Sequence, residues 1–180
     1  MAQLPDPTPT LNEEGRAIYQ RLAGPRGGLG GMYLALMNNP NLADHIGDLG
    51  TYLRFHGVLG DDVRELAILA TARGLGVAYE WVQHAPIALK AGVPQAVVSA
   101  LQAGDFAAPS MSALYIDVCS AARHVVAQES LPDVLQQRLQ QALGLKGVVE
   151  LVVLCGFYRC IANVVTAFDV ALPNAGQPPF

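Results

Sequence analysis

Apolar residues recur every three or four positions along most of the chain, and this spacing predicts α-helices. One such apolar face is formed by Leu42, Ile46, Leu49 and Leu53. No stretch shows the alternation of apolar and polar residues that a half-buried strand would have. The pattern therefore predicts an all-α protein.

Capping residues, glycines and prolines divide this pattern into separate helices. Asn12 can cap a first helix that runs to about Leu22, and the glycine-rich GPRGGLGG at residues 24–31 follows as a flexible break. The next helix starts after Asn41 and ends at Phe55. HGVLGDD then predicts a turn, and the glycines that follow TAR end the helix after that turn.

Five further helices are predicted in the rest of the chain. They cover residues 79–92, 94–104, 111–128, 131–144 and about 146–170. Ser130, Pro132 and Asp133 resemble a capping box before the fourth of them. Residues 1–10 are rich in proline and polar groups and are predicted to be flexible, so we expect a single domain over residues 11–180.

A weak internal repeat links two parts of the helical pattern. The hexapeptides ELAILA and ELVVLC both open an apolar helix with a carboxylate, as two antiparallel helix pairs of common origin would. The second copy has Val165 and Asp169 where the first has Glu80 and His84. We therefore expect any chemistry to lie in the first copy.

Composition changes this picture by predicting self-association. Of the 180 residues, 52% are hydrophobic and 14% are charged, whereas soluble domains average about 25% charged residues. So little polar surface suggests that apolar faces bury one another between copies. The net charge is −4 and no basic stripe occurs, so we expect no nucleic-acid partner.

The cellular compartment is predicted from the apolar segments, the first residues and the cysteines. The longest apolar run, VVELVVLCGFYRCIANVV, is interrupted by Glu150 and Arg159, whereas a membrane span needs roughly 20 apolar residues. The first residues do not resemble a secretory signal. Cys119, Cys155 and Cys160 include no CxxC pair, which argues against a disulfide framework or a zinc site. We expect a cytoplasmic protein with reduced thiols and no membrane partner.

The segment YEWVQHAPIALKAGVP carries the candidate chemistry. Glu80 and His84 are four residues apart and share one helical face. The glycine turn before this helix would fold the preceding helix back and bring Glu65 to the pair. A carboxylate fixes the tautomer of a nearby imidazole, and a second carboxylate nearby has its own pKa raised. Such a group can transfer protons near neutral pH.

A purely structural interpretation of these residues also stands. Glu80 and His84 could form a surface pair worth a few tenths of a kcal/mol. Glu65 could belong to a helix start, because Asp62 and Glu65 have the spacing of a capping box. The apolar neighbours of Glu80 favour a buried helix instead, and buried carboxylates need partners.

Other groups could complete a site around these three side chains. They form a plausible metal-ligand set, but no second histidine is in register and no HExxH occurs, so we expect neither a metal nor a cofactor. Tyr79 and Tyr158 are candidate pocket hydroxyls, although aromatic core packing explains them equally well. His56 precedes the helix of Glu65 and is a third pocket candidate.

These residues resemble the carboxymuconolactone decarboxylase and alkylhydroperoxidase D-like superfamily over roughly residues 30–170. The likeness lies in RELAILA, in YEWVQHAPIALKAGVP and in the closing VELVVLCGFYRCIANVV. Its most specific part is the register of Glu65, Glu80, His84, Ala88 and Gly92. The resemblance implies an all-α bundle that assembles as trimers or hexamers.

The chain departs from the peroxidase branch of that superfamily. The branch carries a CxxC whose cysteines would fall on Val77 and Glu80, while Glu65 and His84 match its proton-relay residues and Tyr79 stands where it often has histidine. Without these thiols there is no peroxidatic nucleophile or resolving partner. The chain therefore resembles the decarboxylase-type branch, and no disulfide-based peroxidase activity is expected.

The resemblance implies a cofactor-free proton-transfer enzyme that acts on a small carboxylated lactone or unsaturated acid. His84 would be the general acid and base, Glu80 would orient it, and Glu65 would relay a second proton. Apolar surroundings would favour the loss of carbon dioxide from a desolvated carboxylate. The cationic groups that could anchor this carboxylate are Arg64, Arg73 and Arg159.

The alternative is a thiol-independent relative of alkylhydroperoxidase that has lost catalysis. Such a protein would be an oligomeric binding or stress-related module. A ligand-sized cavity lined by Glu65, Glu80 and His84 would favour the enzyme, and a closed polar cluster would favour the module.

Overall fold

The computed structural model describes residues 4–173 and 178–180, and this part of the chain contains α-helices and no strand. The predicted all-α class is confirmed. The helices are α1 Glu13–Ala23, α2 Met32–Leu36, α3 Pro40–Phe55, α4 Asp61–Leu75, α5 Ala78–Lys90, α6 Gln95–Gln102, α7 Ala113–Ala127 and α8 Asp133–Ala167.

The chain divides into two compact units. The first comprises Met1–His56 and Asn163–Ala171, and the second comprises Gly57–Ala162 and Leu172–Phe180. The single domain expected over residues 11–180 stays a prediction, and each unit is described by itself.

In the first unit, α1 and α2 both pack against α3. Asn12 caps α1 as predicted, because its side chain accepts a hydrogen bond from the Gly15 N–H. A Cβ at Gly47 would lie 2.2 Å from the buried Leu22 side chain, so a glycine is required where α1 meets α3. Helix α2 was not predicted, and the glycine-rich segment before it contains a short 3₁₀ turn, Gly24–Arg26.

The predicted flexible start of the chain is only partly described. Residues 1–3 lie outside the described residues. Thr8–Thr10 forms a short 3₁₀ turn, which Asp6 supports by accepting hydrogen bonds from the Thr8 N–H and hydroxyl. Pro7 is buried.

In the second unit, α4 packs against α5, α6 and α7. Its residues from Glu65 to Ala72 are all buried. The helix ends at Gly76, whose φ of 67° is the left-handed conformation that favours glycine at a helix end. The predicted turn between α4 and α5 is therefore confirmed.

The capping-box interpretation of Glu65 is wrong. The residue before the first turn of α4 is Gly60, so Asp62 lies inside the helix and does not cap it. Asp62 instead accepts a hydrogen bond of 2.7 Å from the Tyr115 hydroxyl of α7. Glu65 is consequently two residues further into the helix than a capping box requires.

Helix α8 contains a break at Gly144, whose φ of 70° and ψ of 170° are not helical. This break separates the two helices that were predicted on either side of it. The second part ends at Ala167 instead of Val170. By length and composition α8 could cross a membrane, but 56% of its most apolar window is buried, as in the core helix of a soluble protein.

The internal repeat does not correspond to two helix pairs. Glu65 and Glu80 lie on separate helices, whereas Glu150 and Val165 both lie on α8 without an intervening turn. The likeness of ELAILA and ELVVLC therefore reflects two buried helix segments with similar sequences, and the prediction of paired helices in the second copy is wrong.

Glu150 positions the start of α4. Its two carboxylate oxygens accept hydrogen bonds from the Val58 N–H at 2.9 Å and the Leu59 N–H at 3.0 Å. A Cβ at Gly57 would lie 2.2 Å from the Glu150 Oε1 atom, so a glycine permits the loop to approach the carboxylate. The helix that carries Glu65 is thus held at its beginning by α8.

Candidate active site

His84 lies between a carboxylate and a hydroxyl that come from two other helices. Its Nδ1 atom is 2.7 Å from Oε2 of Glu65 on α4, and its Nε2 atom is 3.2 Å from the hydroxyl of Tyr158 on α8. The rings of His84 and Tyr158 meet edge to face, with centroids 5.1 Å apart. Three helices of the second unit therefore supply one continuous hydrogen-bonded chain, Glu65–His84–Tyr158.

The three side chains of this hydrogen-bonded chain are almost completely shielded from water. The exposed fractions are 1% for Glu65, 7% for His84 and 5% for Tyr158. Burial alone would raise the pKa of Glu65, but the hydrogen bond and charge of His84, together with the Arg64 guanidinium, lower it below its ordinary value. Glu65 is therefore a carboxylate at neutral pH.

The charge of Glu65 decides the tautomer of His84. An ionised carboxylate only accepts hydrogen bonds, so Nδ1 carries the proton and donates it to Oε2 of Glu65. When the imidazole is neutral, the lone pair of Nε2 faces Tyr158 and can accept a hydrogen bond from its hydroxyl. His84 is thereby oriented as a base at Nε2.

Glu80 is the second buried carboxyl group, and its surroundings differ from those of Glu65. It is 3% exposed, and neither side-chain oxygen has a hydrogen-bond partner among the described residues. Burial raises the pKa of Glu80 to about 7, against a smaller lowering by its own backbone N–H. A carboxyl with this pKa exists in both protonation states near neutral pH.

The structure thus exchanges the expected roles of the two carboxylates. Glu80 was predicted to orient His84, but Glu65 holds the imidazole instead. The spacing of Glu80 and His84 places both on one side of α5, yet their side chains do not bond to each other. Helical spacing alone cannot show which of two acceptors an imidazole selects, because that depends on where α4 packs.

The other predicted pocket residues have different outcomes. Tyr158 bonds to His84, and Tyr79 is buried at the start of α5. His56 ends α3 with an exposed side chain, so it is not part of the buried cluster.

Arg64 is the candidate anchor that lies beside the cluster. Its Nε atom is 3.3 Å from Oε1 of Glu65, and its side chain is 13% exposed. Arg73 donates to the Gln102 carbonyl and Arg159 to the Val126 carbonyl. Sequence reasoning did not link Arg64 to Glu65, because adjacent residues on a helix normally point in different directions.

None of the three cysteines pairs in a disulfide. Burial raises the pKa of Cys119 to about 12 and that of Cys155 to about 11. Cys160 is exposed, although the apolar segment that carries it would favour burial. Within the part of the chain that the structure describes, no group of three His, Cys, Asp or Glu side chains is placed to hold a metal ion.

A cavity of about 620 Å³ occurs elsewhere in the same unit. Its lining includes Arg73, Phe106, Arg123, His124 and Glu129, at the carboxyl ends of α4 and α7. Glu65, Glu80 and His84 do not line it. The polar cluster and this cavity are therefore separate features.

Comparison with solved structures finds proteins of a similar fold. Two solved structures of the debrominase Bmp8 match the fold: a cysteine-to-alanine variant in complex with 2,3,4-tribromopyrrole, and the apo protein. Each has a TM-score of 0.68 and 15% sequence identity; the variant covers 97% and the apo protein 96% of this chain, and 91% of the Bmp8 chain is covered in both. At this identity the likeness shows a common fold alone.

No sequence among the curated proteins is similar enough to this chain to count as a match. The family described as the carboxymuconolactone decarboxylase family matches residues 40–127, which include Glu65, Glu80 and His84. Residues 40–127 of this chain therefore resemble the carboxymuconolactone decarboxylase family.

Proposed function

We propose that this protein is a cofactor-free proton-transfer enzyme of the carboxymuconolactone decarboxylase type. Its substrate is a small carboxylated lactone or unsaturated acid, and its reaction is the loss of carbon dioxide. The observation that carries this proposal is the buried chain Glu65–His84–Tyr158, on the same unit as a buried carboxyl, Glu80, without a hydrogen-bond partner.

The different pKa directions of the two carboxyl groups support this chemistry. Glu65 is ionised and holds the His84 tautomer, whereas Glu80 keeps its proton up to a pH of about 7. Pairs of titratable groups whose surroundings separate their pKa values are typical of acid and base assignments in enzymes. Glu80 is accordingly the proton donor to the substrate, and His84, held by Glu65, is the group that returns a proton to Glu80.

The reaction can be written so that electrons and protons balance. The bond between the substrate and its carboxylate breaks, carbon dioxide leaves, and the electron pair enters the conjugated carbonyl as a dienolate. The carboxylic acid of Glu80 then transfers its proton to carbon and becomes a carboxylate. A proton from solvent restores it, with His84 as the relay. Arg64, which is paired with Glu65 and Asp61, is the candidate cation for the substrate's anionic group.

The experiment is a screen of small carboxylated lactones for release of carbon dioxide, performed in heavy water. We expect one deuterium in the product, on a carbon of the former dienolate. Glu80→Gln and His84→Gln should each lower turnover by about 10²–10⁴-fold. The rate for wild type should fall as pH rises through about 7, because Glu80 loses its proton.

The control for this screen is Cys160→Ser, which removes the exposed thiol. It should leave turnover unchanged, because the proposed chemistry uses no thiol. Loss of turnover in this variant, or full turnover in Glu80→Gln, would contradict the proposed mechanism.

A non-catalytic binding or stress-related module is the second candidate, and one observation favours it. The residues Glu65, Glu80 and His84 are buried, and the cavity of about 620 Å³ is not lined by them. If the protein turns over no lactone or unsaturated acid, and none of these compounds shifts its midpoint of thermal unfolding, the non-catalytic module is the better proposal. Both candidates share two further proposals, assembly as a trimer or hexamer and a cytoplasmic location. The low charged fraction of 14% supports the assembly.

A further inference from the structure

The cavity of about 620 Å³ in the second unit is rich in cationic groups. The guanidinium groups of Arg73 and Arg123 line it together with the imidazole of His124, and Glu129 is the acidic side chain in its lining. The chain as a whole has the opposite balance, with 11 lysine and arginine residues against 15 acidic ones. The cavity is therefore a positive site on an acidic protein.

Neither arginine of the cavity is neutralised by a carboxylate. Among the described residues, Arg73 and Arg123 form no ion pair, and neither does Glu129 in the same lining. By contrast, Arg64 and Arg138 each bind an aspartate. The two positive charges of the cavity are thus available to an anion from outside the chain.

Each of these two arginines rests on a phenylalanine ring. The guanidinium carbon of Arg73 is 4.7 Å from the ring centre of Phe180, and that of Arg123 is 5.5 Å from the ring centre of Phe106. A guanidinium on an aromatic face keeps its in-plane N–H groups for hydrogen bonds to a carboxylate or phosphate. The Nε atom of Arg73 donates to the Gln102 carbonyl at 3.0 Å, so this side chain is held in place before a ligand binds.

The polarity of the helix ends explains these basic residues only in part. Arg73 and His124 lie in the last turns of α4 and α7, where a positive charge is favourable. Arg73, however, donates to a carbonyl at the end of α6 and to none in α4. Arg123 lies before the last turn of α7, and its contact is with Phe106. A role in capping the helices therefore leaves both guanidinium groups unexplained.

His124 adds a third nitrogen group to the cavity. Its Nδ1 atom is 2.8 Å from the Ser120 carbonyl oxygen. A carbonyl oxygen only accepts hydrogen bonds, so Nδ1 carries the proton. The Nε2 atom has no partner among the described residues, and the imidazole is thereby held with this atom available.

We propose that this cavity binds a small organic anion, whose carboxylate or phosphate group accepts hydrogen bonds from Arg73 and Arg123. The apolar body of the ligand lies against Phe106 and Val126, which also line the cavity. Pockets of about 300–1,000 Å³ hold organic molecules, so the cavity is larger than an inorganic ion requires.

This anion site is separate from the proposed catalytic cluster. Arg73 follows Glu65 by eight residues in the sequence, which corresponds to about 12 Å along α4. No member of the Glu65–His84–Tyr158 chain lines the cavity. The inference therefore does not rest on the proposed decarboxylation, and either can fail without the other.

The first test is a titration of the full-length protein, followed by the NMR shifts of its backbone amides. The probes are benzoate and phenyl phosphate, with benzamide as the uncharged analogue and inorganic phosphate as the anion without an apolar body. At least one of the two organic anions should bind about tenfold more tightly than both controls, with saturating shifts at Gly74, Gly104 and Ala127. The tighter of the two identifies the anionic group. Equal affinity for benzamide or inorganic phosphate, or no shift at these amides with millimolar probe, overturns the proposal.

Substitutions then test the two arginines by the same titration. Arg73→Gln and Arg123→Gln should each weaken binding by about ten- to a hundredfold, because each removes hydrogen bonds to a charged group. Arg54→Gln is the matched control, since Arg54 also rests on a phenylalanine ring, 5.0 Å from the centre of Phe55, but does not line the cavity. Affinity that depends on Arg64 and not on Arg73 would place the anion at the polar cluster and contradict the proposal.

A second measurement uses the wild-type protein, so it does not depend on the folding of any variant. Phenylglyoxal modifies accessible arginines, and peptide mass spectrometry gives the rate at each position. The bound anion should slow modification of Arg73 and Arg123 at least about tenfold and leave Arg54 unchanged. Equal rates at Arg73 and Arg123 with and without the anion would show that the cavity is not its site.

Discussion

Two carboxyl groups in one unit, Glu65 and Glu80, have opposite electrostatic situations. Both are at least 97% buried, being 1% and 3% exposed. Glu65 has His84 and Arg64 as partners, so its pKa falls, whereas the pKa of Glu80 rises to about 7 because burial is not offset by a partner. The presence of a partner, rather than the degree of burial, separates their chemistry.

Replacement of Glu80 by glutamine should change how stability depends on pH. The folded protein holds the proton of Glu80 up to about pH 7, while the unfolded chain releases it near 4.5. Between these values the folded state binds more protons, so wild-type stability falls as pH rises, by about 3 kcal/mol in all. Glu80→Gln should lack this decline. Guanidinium unfolding, followed by the fluorescence of the single tryptophan, Trp81, measures it.

A matched substitution isolates the effect of burial at Glu80. Glu14 is exposed in α1, so Glu14→Gln should leave the pH dependence of stability as in wild type. If Glu80→Gln and wild type lose the same stability between acid and neutral pH, then Glu80 does not carry the raised pKa.

Glu65→Gln should have the opposite pH dependence. The lowered pKa of Glu65 contributes stability above its unfolded value, and this contribution disappears as pH falls through the folded value. The substitution should therefore cost about 2 kcal/mol near neutral pH, the typical worth of a hydrogen bond to a charged group, and less in acid. The same unfolding experiment measures it. A cost that grows toward low pH would exclude an ionised Glu65.

At the scale of the helices, the cluster depends on where α4, α5 and α8 are held. The turn at Gly76 brings α5 back along α4, and α8 supplies Tyr158 to His84. Glu150 on α8 binds the two N–H groups that lead into α4. Helix α8 therefore contributes to the cluster twice, once through the tyrosine and once through the position of α4.

Glu150→Ala should release the loop before α4. It removes the acceptor of two backbone N–H groups and should destabilise the protein by about 2–4 kcal/mol, since an unsatisfied buried donor costs about 1–3 kcal/mol. Hydrogen exchange should become faster first at the amides of Val58 and Leu59. Glu129→Gln, at an exposed position, is the control and should change neither measurement. Unchanged protection in Glu150→Ala would show that the loop is held by other contacts.

At the scale of the whole molecule, low charge and apolar helices dominate. Only 14% of the residues are charged, and the most apolar helix keeps several large side chains exposed. These facts make self-association the natural way to cover the remaining apolar surface. The core also contains two of the three cysteines, and burial raises the pKa of both thiols, so neither is expected to be reactive.

Alkylation should distinguish core thiols from any functional thiol. Cys119 and Cys155 are buried with raised pKa values of about 12 and about 11, so both should resist iodoacetamide in the native protein. Both should react completely in guanidinium, as peptide mass spectrometry would show. Rapid labelling of either one in the native state would mean that a thiolate is available, and thiol-independent chemistry would then be in doubt.

The sequence by itself determined the helices other than α2, the turn at Gly76 and the family register shared by Glu65, Glu80 and His84. These features are local, because periodicity, glycine and capping act within a few residues. The tertiary structure decided which carboxylate binds His84, that Tyr158 completes the chain, and that Glu80 is left without a partner. Those outcomes depend on the packing of α4, α5 and α8, where a side chain on one helix selects its partner on another.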